Sequence, residues 1–189
     1  MKKSLGAKTY LYPMPVLMVG TYNDDGTPDL MTMAWGGVCD YDKVELNLDE
    51  AHRTADNIKK RGAFTLAICD GAHIAEADYV GSVSAKQDPQ KVERSGLRFT
   101  KSDHVDAPVF EDFPLTLECT ADALEHTIAG FQVIGKVVNT LADEGILGEN
   151  GEILAEKMDA VIFETASRSY WRTGEKIGNA WEMGKKFMK

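Results

Sequence analysis

The sequence predicts a mainly β single domain, a closed sheet or barrel interrupted by short helices. Three observations predict it. Six or seven short segments carry strand composition or strand periodicity, with only short helical segments between them. The strand–helix alternation is too irregular for a doubly wound parallel sheet. Neither a GxGxxG turn nor a P-loop is present, which removes the usual nucleotide folds. At 189 residues the chain suffices for one domain with a sizeable core. It shows no repeat, low-complexity tract or linker, so residues 1–189 are assigned to a single domain.

Each element has its own signal. Residues 16–22 are apolar and β-rich. Residues 23–29 have turn composition, and Asp25-Gly26 is a hairpin signal. Residues 30–35 continue as a strand. In residues 43–48, Val44, Leu46 and Leu48 alternate with Lys43, Glu45 and Asn47, the period of a strand with one solvated face. A helix is expected over about 54–61, with Thr54 as N-cap and Gly62 where a C′ glycine would end it. Residues 64–68 form a short apolar strand. Asp70 or Gly71 starts a short helix ending near Gly81. Asp88-Pro89 suits the start of another short helix, closed by Gly96. Two longer strands follow, 115–126 and 131–141. Residues 145–151 form a Gly-rich loop, 160–163 a final core strand, and 175–187 a weak helix interrupted by Gly178 and Gly184.

Composition narrows the function. The chain is 43% hydrophobic and 27% charged, an ordinary globular balance. No apolar run approaches the roughly 20 residues needed to span a bilayer. Met1-Lys2-Lys3 begins like a secretory leader, but Lys8, Thr9 and Tyr10 interrupt any apolar region, so a cytoplasmic protein is expected. A net charge of −9 disfavours a nucleic-acid partner. An anionic cofactor would then need a local cluster of donors, for which Arg53, Lys86 and Lys91 are candidates. Cys39, Cys69 and Cys119 lie far apart and near apolar segments, as expected of reduced core cysteines. The histidines and cysteines have no metal-ligand spacing, so no metal site is expected.

The chemistry concentrates between Tyr12 and Asn57. Met31-Thr32-Met33-Ala34-Trp35-Gly36-Gly37 offers an exposed strand edge, with small residues that allow a flat heterocycle to approach. A helix start at Arg53-Thr54, with Asn57 one turn on, offers free N–H groups and a planar guanidinium for a phosphate. Together they point to a bound mononucleotide, FMN, rather than to catalytic side chains. Taken singly, the helix reads first as an ordinary capped surface helix, and Trp35 first as a core residue; the pairing of the two segments gives them their weight.

Several motifs, in order, resemble the flavin-reductase-like family, which includes flavoredoxin. They are Tyr12-Pro13-Met14-Pro15-Val16, Gly26-Thr27-Pro28-Asp29 leading into Leu30–Gly37, Arg53-Thr54 with Asn57, and Gly81-Ser82-Val83-Ser84 with Lys91. Val133-Ile134-Gly135-Lys136-Val137 and Tyr170-Trp171 with Gly174 and Gly178 complete the set. The resemblance spans roughly residues 10–187. Asp29 stands where the family often has Asn. The resemblance implies an FMN-binding split β-barrel. It implies that Thr32, Met33, Ala34 and Trp35 line the isoalloxazine and that Arg53, Thr54 and Asn57 hold the ribityl phosphate. Ser82, Ser84 and Lys91 would complete that shell. Trp171 would reach the cofactor of a partner subunit in a homodimer, or else pack in an interface or core.

The expected function is an FMN-dependent oxidoreductase passing electrons from NAD(P)H to a flavin, a ferric chelate or a protein acceptor, the cofactor supplying the redox chemistry. An electron carrier of flavoredoxin type, docking a basic redox partner with little NAD(P)H turnover, is a second reading. A split-barrel binding module with no redox role is a third. His52 and His126 are candidate proton donors, or simply hydrogen-bonded structural residues.

Overall fold

A computed structural model describes residues 1–128 and 130–188. Its elements are, in chain order, β1 (Met14–Pro15), β2 (Leu17–Tyr22), β3 (Pro28–Met33), β4 (Gly36–Asp40), β5 (Lys43–Leu48), α1 (Arg53–Arg61), β6 (Ala63–Ile68), α2 (Ile74–Ser82), α3 (Lys91–Ser95), β7 (Phe99–Lys101), β8 (Pro108–Phe110), β9 (Leu115–Thr127), β10 (Gly130–Ala142), β11 (Val161–Glu164) and β12 (Ser169–Arg172). Seven of them form one antiparallel sheet in the order β3-β2-β6-β9-β10-β5-β4.

The outer strands of that sheet, β3 and β4, are consecutive in the chain. Only Ala34 and Trp35 separate them, so the sheet must curl until its two edges face each other. The Trp35 carbonyl accepts a hydrogen bond from the Asn47 N–H at 2.9 Å, which fixes the crossing point against β5. The barrel is therefore split at Ala34-Trp35.

Side-chain alternation then sorts the apolar residues into two cores. Leu17, Val19, Met31, Leu46, Phe64 and Phe131 fill the barrel interior, and Ala55 and Ile58 of α1 plug one end of it. Val16, Met18 and Leu30 point outward and meet Ala77, Val80 and Val92 under α2 and α3. Covered on both faces, β2 reads in the sequence as an unbroken apolar run. In β5, Val44, Leu46 and Leu48 are buried as the alternation predicts.

The β2–β3 hairpin turns at Gly26, whose φ of 82° needs glycine. Gly62 and Gly96 end α1 and α3 in the left-handed conformation. The starts of all three helices differ from expectation. Helix α1 begins at Arg53 with His52 at the N-cap. Before α2, the Asp70 carboxylate accepts the His73 N–H at 3.0 Å, so the chain turns first and the helix begins at Ile74. Asp88 likewise accepts the Gln90 N–H at 3.1 Å, delaying α3 to Lys91.

Five short strands escaped the sequence reading: β1, β4, β7, β8 and β12. Such short segments show no measurable periodicity. The expected helix over 175–187 is absent. Only Lys185–Phe187 makes a turn of 3-10 helix, because two glycines and an unpacked surface leave a helix nothing to repay its nucleation cost. Cys69 and Cys119 are buried, and burial pushes both thiols up to about 12. Cys39 is exposed, because edge strand β4 is covered by no other element.

Candidate functional site

Two cavities open along β3 and share Thr32. The first, about 190 Å³, is polar and lies where the start of α1 meets the end of α2. His52, Arg53 and Thr54 line it from α1, Gly81, Ser82 and Ser84 from the end of α2, and Asp29 and Lys91 from its floor. No side chain caps α1, so its first-turn N–H groups are available to an anion. Arg53 makes no hydrogen bond or ion pair among the described residues. Lys86, another candidate, is paired to Asp56 at 3.0 Å and does not line the cavity.

Beneath the cavity lies a buried ionic junction. The Thr54 hydroxyl donates to Asp29 Oδ2 at 2.8 Å. Lys91 Nζ donates to the Val80 carbonyl at 2.9 Å and stands 3.4 Å from Asp29 Oδ1. That last contact is an ion pair, for Asp29 Oδ1 has no hydrogen-bond partner. Burial pushes the Lys91 ammonium below its ordinary value, and Asp29 opposes the shift. One carboxylate thus ties β3 to α1 and, through Lys91, to the last turn of α2. The expected N-cap, Thr54, is the second residue of the helix, its hydroxyl committed to Asp29 rather than to a backbone amide.

The second cavity, about 140 Å³, is apolar. Met33, Ala34 and Trp35 line it from the barrel split, Phe163 and Tyr170 from the sheet that β11 and β12 form with β1. Trp35, Phe163 and Tyr170 make a continuous aromatic run, with centroids 6.3 and 5.9 Å apart. Trp35 is 58% exposed, so it is no core residue. The Tyr170 hydroxyl donates to Asp78 at 2.7 Å, and burial, aided by that bond, pushes its pKa up to about 12. Phe163 and Tyr170 are the additions the sequence reading lacked at this cavity. Their signal was faint, two aromatics from neighbouring strands that only pairing of β11 with β12 brings together.

The structure therefore brings together Thr32, Met33, Ala34 and Trp35 at the apolar end and Arg53, Thr54, Ser82, Ser84 and Lys91 at the polar end. Asn57 lines neither cavity, its amide donating to Thr21 and Asn23 at 3.0 and 3.1 Å. Trp171 follows Tyr170 on β12, so it projects from the opposite face. Its indole N–H donates to Ser169 at 2.8 Å. Of the two histidines considered as proton donors, His52 stands at the polar end. His126 is exposed and pairs with Glu50 at 3.4 Å. Neither lines the apolar cavity.

This arrangement fits a mononucleotide with a flat tricyclic ring. Its phosphate would meet uncapped helix amides and an unpaired guanidinium, and its ring an aromatic slot, with Thr32 between them. A larger cavity, about 540 Å³ beside α3, does not fit, because its charged lining residues are the carboxylates Asp25 and Glu93. No group of His, Cys, Asp and Glu among the described residues could hold a metal ion, and no described helix is long and apolar enough to cross a membrane.

The model of the flavin reductase like domain family matches residues 9–169. The chain belongs to that family. Flavoredoxin of Desulfovibrio vulgaris (Miyazaki F) is 38% identical, superposes with a TM-score of 0.90, and the match covers 97% of this chain and 100% of that one. Flavoredoxin from Methanosarcina acetivorans, at 23% identity, gives a TM-score of 0.89 over 100% of both chains. An FMN-binding protein from Thermus thermophilus, at 15% identity, gives 0.76 over 95% of this chain and 98% of that one. The last two show the shared fold, the split barrel of the flavin reductases. The search of curated proteins gave no match. Membership of the flavin reductase like family points to FMN as the cofactor.

Proposed function

We propose that the chain is an FMN-dependent oxidoreductase that takes electrons from NAD(P)H and passes them to a flavin, a ferric chelate or a protein. One observation carries this reading: a polar cavity with an unpaired Arg53 and an uncapped helix adjoins an aromatic slot through Thr32. Bound FMN would supply hydride or electron transfer. The chain's own residues do the rest. Arg53 and the first-turn amides of α1 hold the phosphate, and Ser82 and Ser84 offer hydroxyls beside it. Asp29, Thr54 and Lys91 keep α1 and α2 at a fixed distance from β3. Met33, Ala34 and Trp35 would present the barrel split to the ring, with Phe163 and Tyr170 as the other wall of the slot. No side chain with a pKa near neutrality lines the slot, in keeping with chemistry carried by the cofactor.

The working form is a homodimer, because the ring end is left open by one copy. Three free cysteines support a reducing compartment, the cytoplasm. The open ring end also favours a second reading, a flavoredoxin-type carrier that docks a basic protein partner. The primary test is a pair of titrations with FMN and riboflavin, watched by flavin absorbance. FMN binding much tighter than riboflavin is expected, and equal affinities would remove the phosphate site. Anaerobic stopped-flow with NADH and NADPH separates the two readings. Rapid bleaching of bound FMN marks the reductase, and negligible reduction marks the carrier.

A further inference from the structure

Most of the charges around the polar cavity cancel in pairs. On the flank of α1, Lys86 pairs with Asp56 at 3.0 Å. Near Lys91, the Asp88 carboxylate that also acts on it pairs with Arg94 at 2.8 Å. The lining itself carries two cations, Arg53 and Lys91, and one carboxylate, Asp29, beside the imidazole of His52. At neutral pH a phosphate monoester carries a charge of roughly −1.5 to −2. A carboxylate in the lining opposes its entry.

The charge of Asp29 is little dispersed. Asp29 is 1% exposed, so no water screens it. Its Oδ2 accepts the Thr54 hydroxyl at 2.8 Å, but its Oδ1 has no hydrogen-bond donor. The Lys91 ammonium, 3.4 Å from Oδ1, is its counter-charge. Lys91 is 4% exposed and directs its ammonium to the Val80 carbonyl and Asp29. The pair is therefore neutral as a unit, and Arg53 is the cation of the lining with no partner among the described residues. Joining β3 to α1 does not by itself require a charge, because an amide at position 29 would still accept the Thr54 hydroxyl.

We propose that Asp29 is a specificity-determining residue that limits the grip on phosphate. Its charge cancels that of Lys91, so Arg53 and the first-turn amides of α1 face the phosphate with one net cation between them. The proposal rests on the FMN reading above. It gives Asp29 a part in selecting the flavin besides its place in the junction. FMN is then held less tightly, and leaves sooner, than the donors of the cavity would otherwise permit.

The test is the ratio of FMN to riboflavin affinity, read by flavin titration of the full chain at about neutral pH, where the phosphate carries most of its double charge. Asp29→Asn removes the carboxylate and keeps an acceptor for Thr54. The ratio should rise on the order of 10-fold, through tighter FMN with riboflavin unchanged. Lys91→Met leaves the carboxylate in place with one cation fewer, and should lower the ratio by a similar factor. The double variant again presents one net cation, so the gain of Asp29→Asn should be lost. Added salt should shrink all these differences. If Asp29 only positioned α1 and α2, Asp29→Asn would weaken both flavins or leave the ratio where it was, and either result would overturn the proposal. Should Asp29→Asn fail to fold, the step from Lys91→Met to the double variant removes the same carboxylate, and a ratio that does not rise there overturns it equally. Equal affinities of the wild type for FMN and riboflavin would overturn the phosphate reading itself. A wild-type preference for FMN that loss of the carboxylate does not increase would overturn only the role of Asp29.

Discussion

The two ends of the candidate site are built differently. At the polar end one chain supplies the ionic junction: Asp29 is buried, Thr54 and Lys91 are committed to it, and Arg53 has no partner among the described residues. At the apolar end the same chain leaves Trp35 more than half exposed. The polar end is finished within one copy because a buried charge cannot wait for a partner. Unpaired, it would cost several kcal/mol in the folded monomer. An apolar surface can wait, since its exposure costs little until a partner or ligand arrives. The phosphate grip should therefore belong to the monomer and the ring slot to the assembly.

The sharpest way to break this comparison is at the junction itself. Lys91→Met strands the buried Asp29 carboxylate and should cost roughly 3–5 kcal/mol of stability. Adding Asp29→Asn should restore much of it, since the amide keeps an acceptor for Thr54. Urea unfolding of the wild type and the variants measures both. A small loss in Lys91→Met would mean that the polar end is not finished by ion pairing.

Arg53→Ala comes next. A charge-assisted contact to phosphate predicts a loss of about 1.5–3 kcal/mol in FMN binding, roughly 10- to 150-fold, with far less change for riboflavin. FMN affinity should also fall with salt more in the wild type than in the variant. Equal losses for the two ligands would dissolve the distinction between the ends.

Gly81→Ala probes the point they share. An added Cβ would sit 2.7 Å from Thr32 Cβ, where α2 crosses β3. The helix must move off the strand, at about 1–3 kcal/mol for overpacking. Both ligands should weaken, because Thr32 borders both cavities. An effect on FMN alone would place the consequence at the polar end only.

Trp35→Ala should act on the ring by itself. Losing one aromatic contact predicts about 0.5–1.5 kcal/mol, a factor of roughly 2 to 10, equal for FMN and riboflavin. The smallest effect is expected from acid at the turn between β11 and β12. There Ser167 and Tyr12, as hydrogen-bond donors, hold the Glu164 carboxyl at about 2, below its ordinary 4.5. A depressed carboxylate stabilises the fold above its unfolded value, and that contribution is lost as pH falls from about 4.5 towards 2. Thermal unfolding across that range should show a slightly shallower pH dependence for Glu164→Gln than for the wild type.

Much of the molecule was legible in its residues. The alternation in β5, the apolar run of β2, the Asp25-Gly26 turn and the glycines ending α1 and α3 are local signals, and each element formed where its signal lies. The helix starts were less legible. Asp70 and Asp88 are acceptable N-caps by composition, and only the turn each makes shows that its helix begins later. Residues 175–187 carried a weak helical pattern with nothing to pack against, so the pattern had no consequence.

For the site, the sequence by itself determined the chemistry. Small residues and Trp35 at a strand end, and Arg53 at a helix start, are side chains suited to a flat ring and to a phosphate wherever the chain places them. Tertiary structure alone decided which residues would be neighbours. Asp29 meets Lys91 across sixty-one intervening positions of sequence, and Phe163 meets Trp35 across the barrel split. Asn57, one helical turn from Arg53, turned inward to Thr21. Local periodicity places a residue on a face of its own element. Which other element covers that face is fixed by the closing of the sheet and the burial of its two cores, and no spacing along the chain records it.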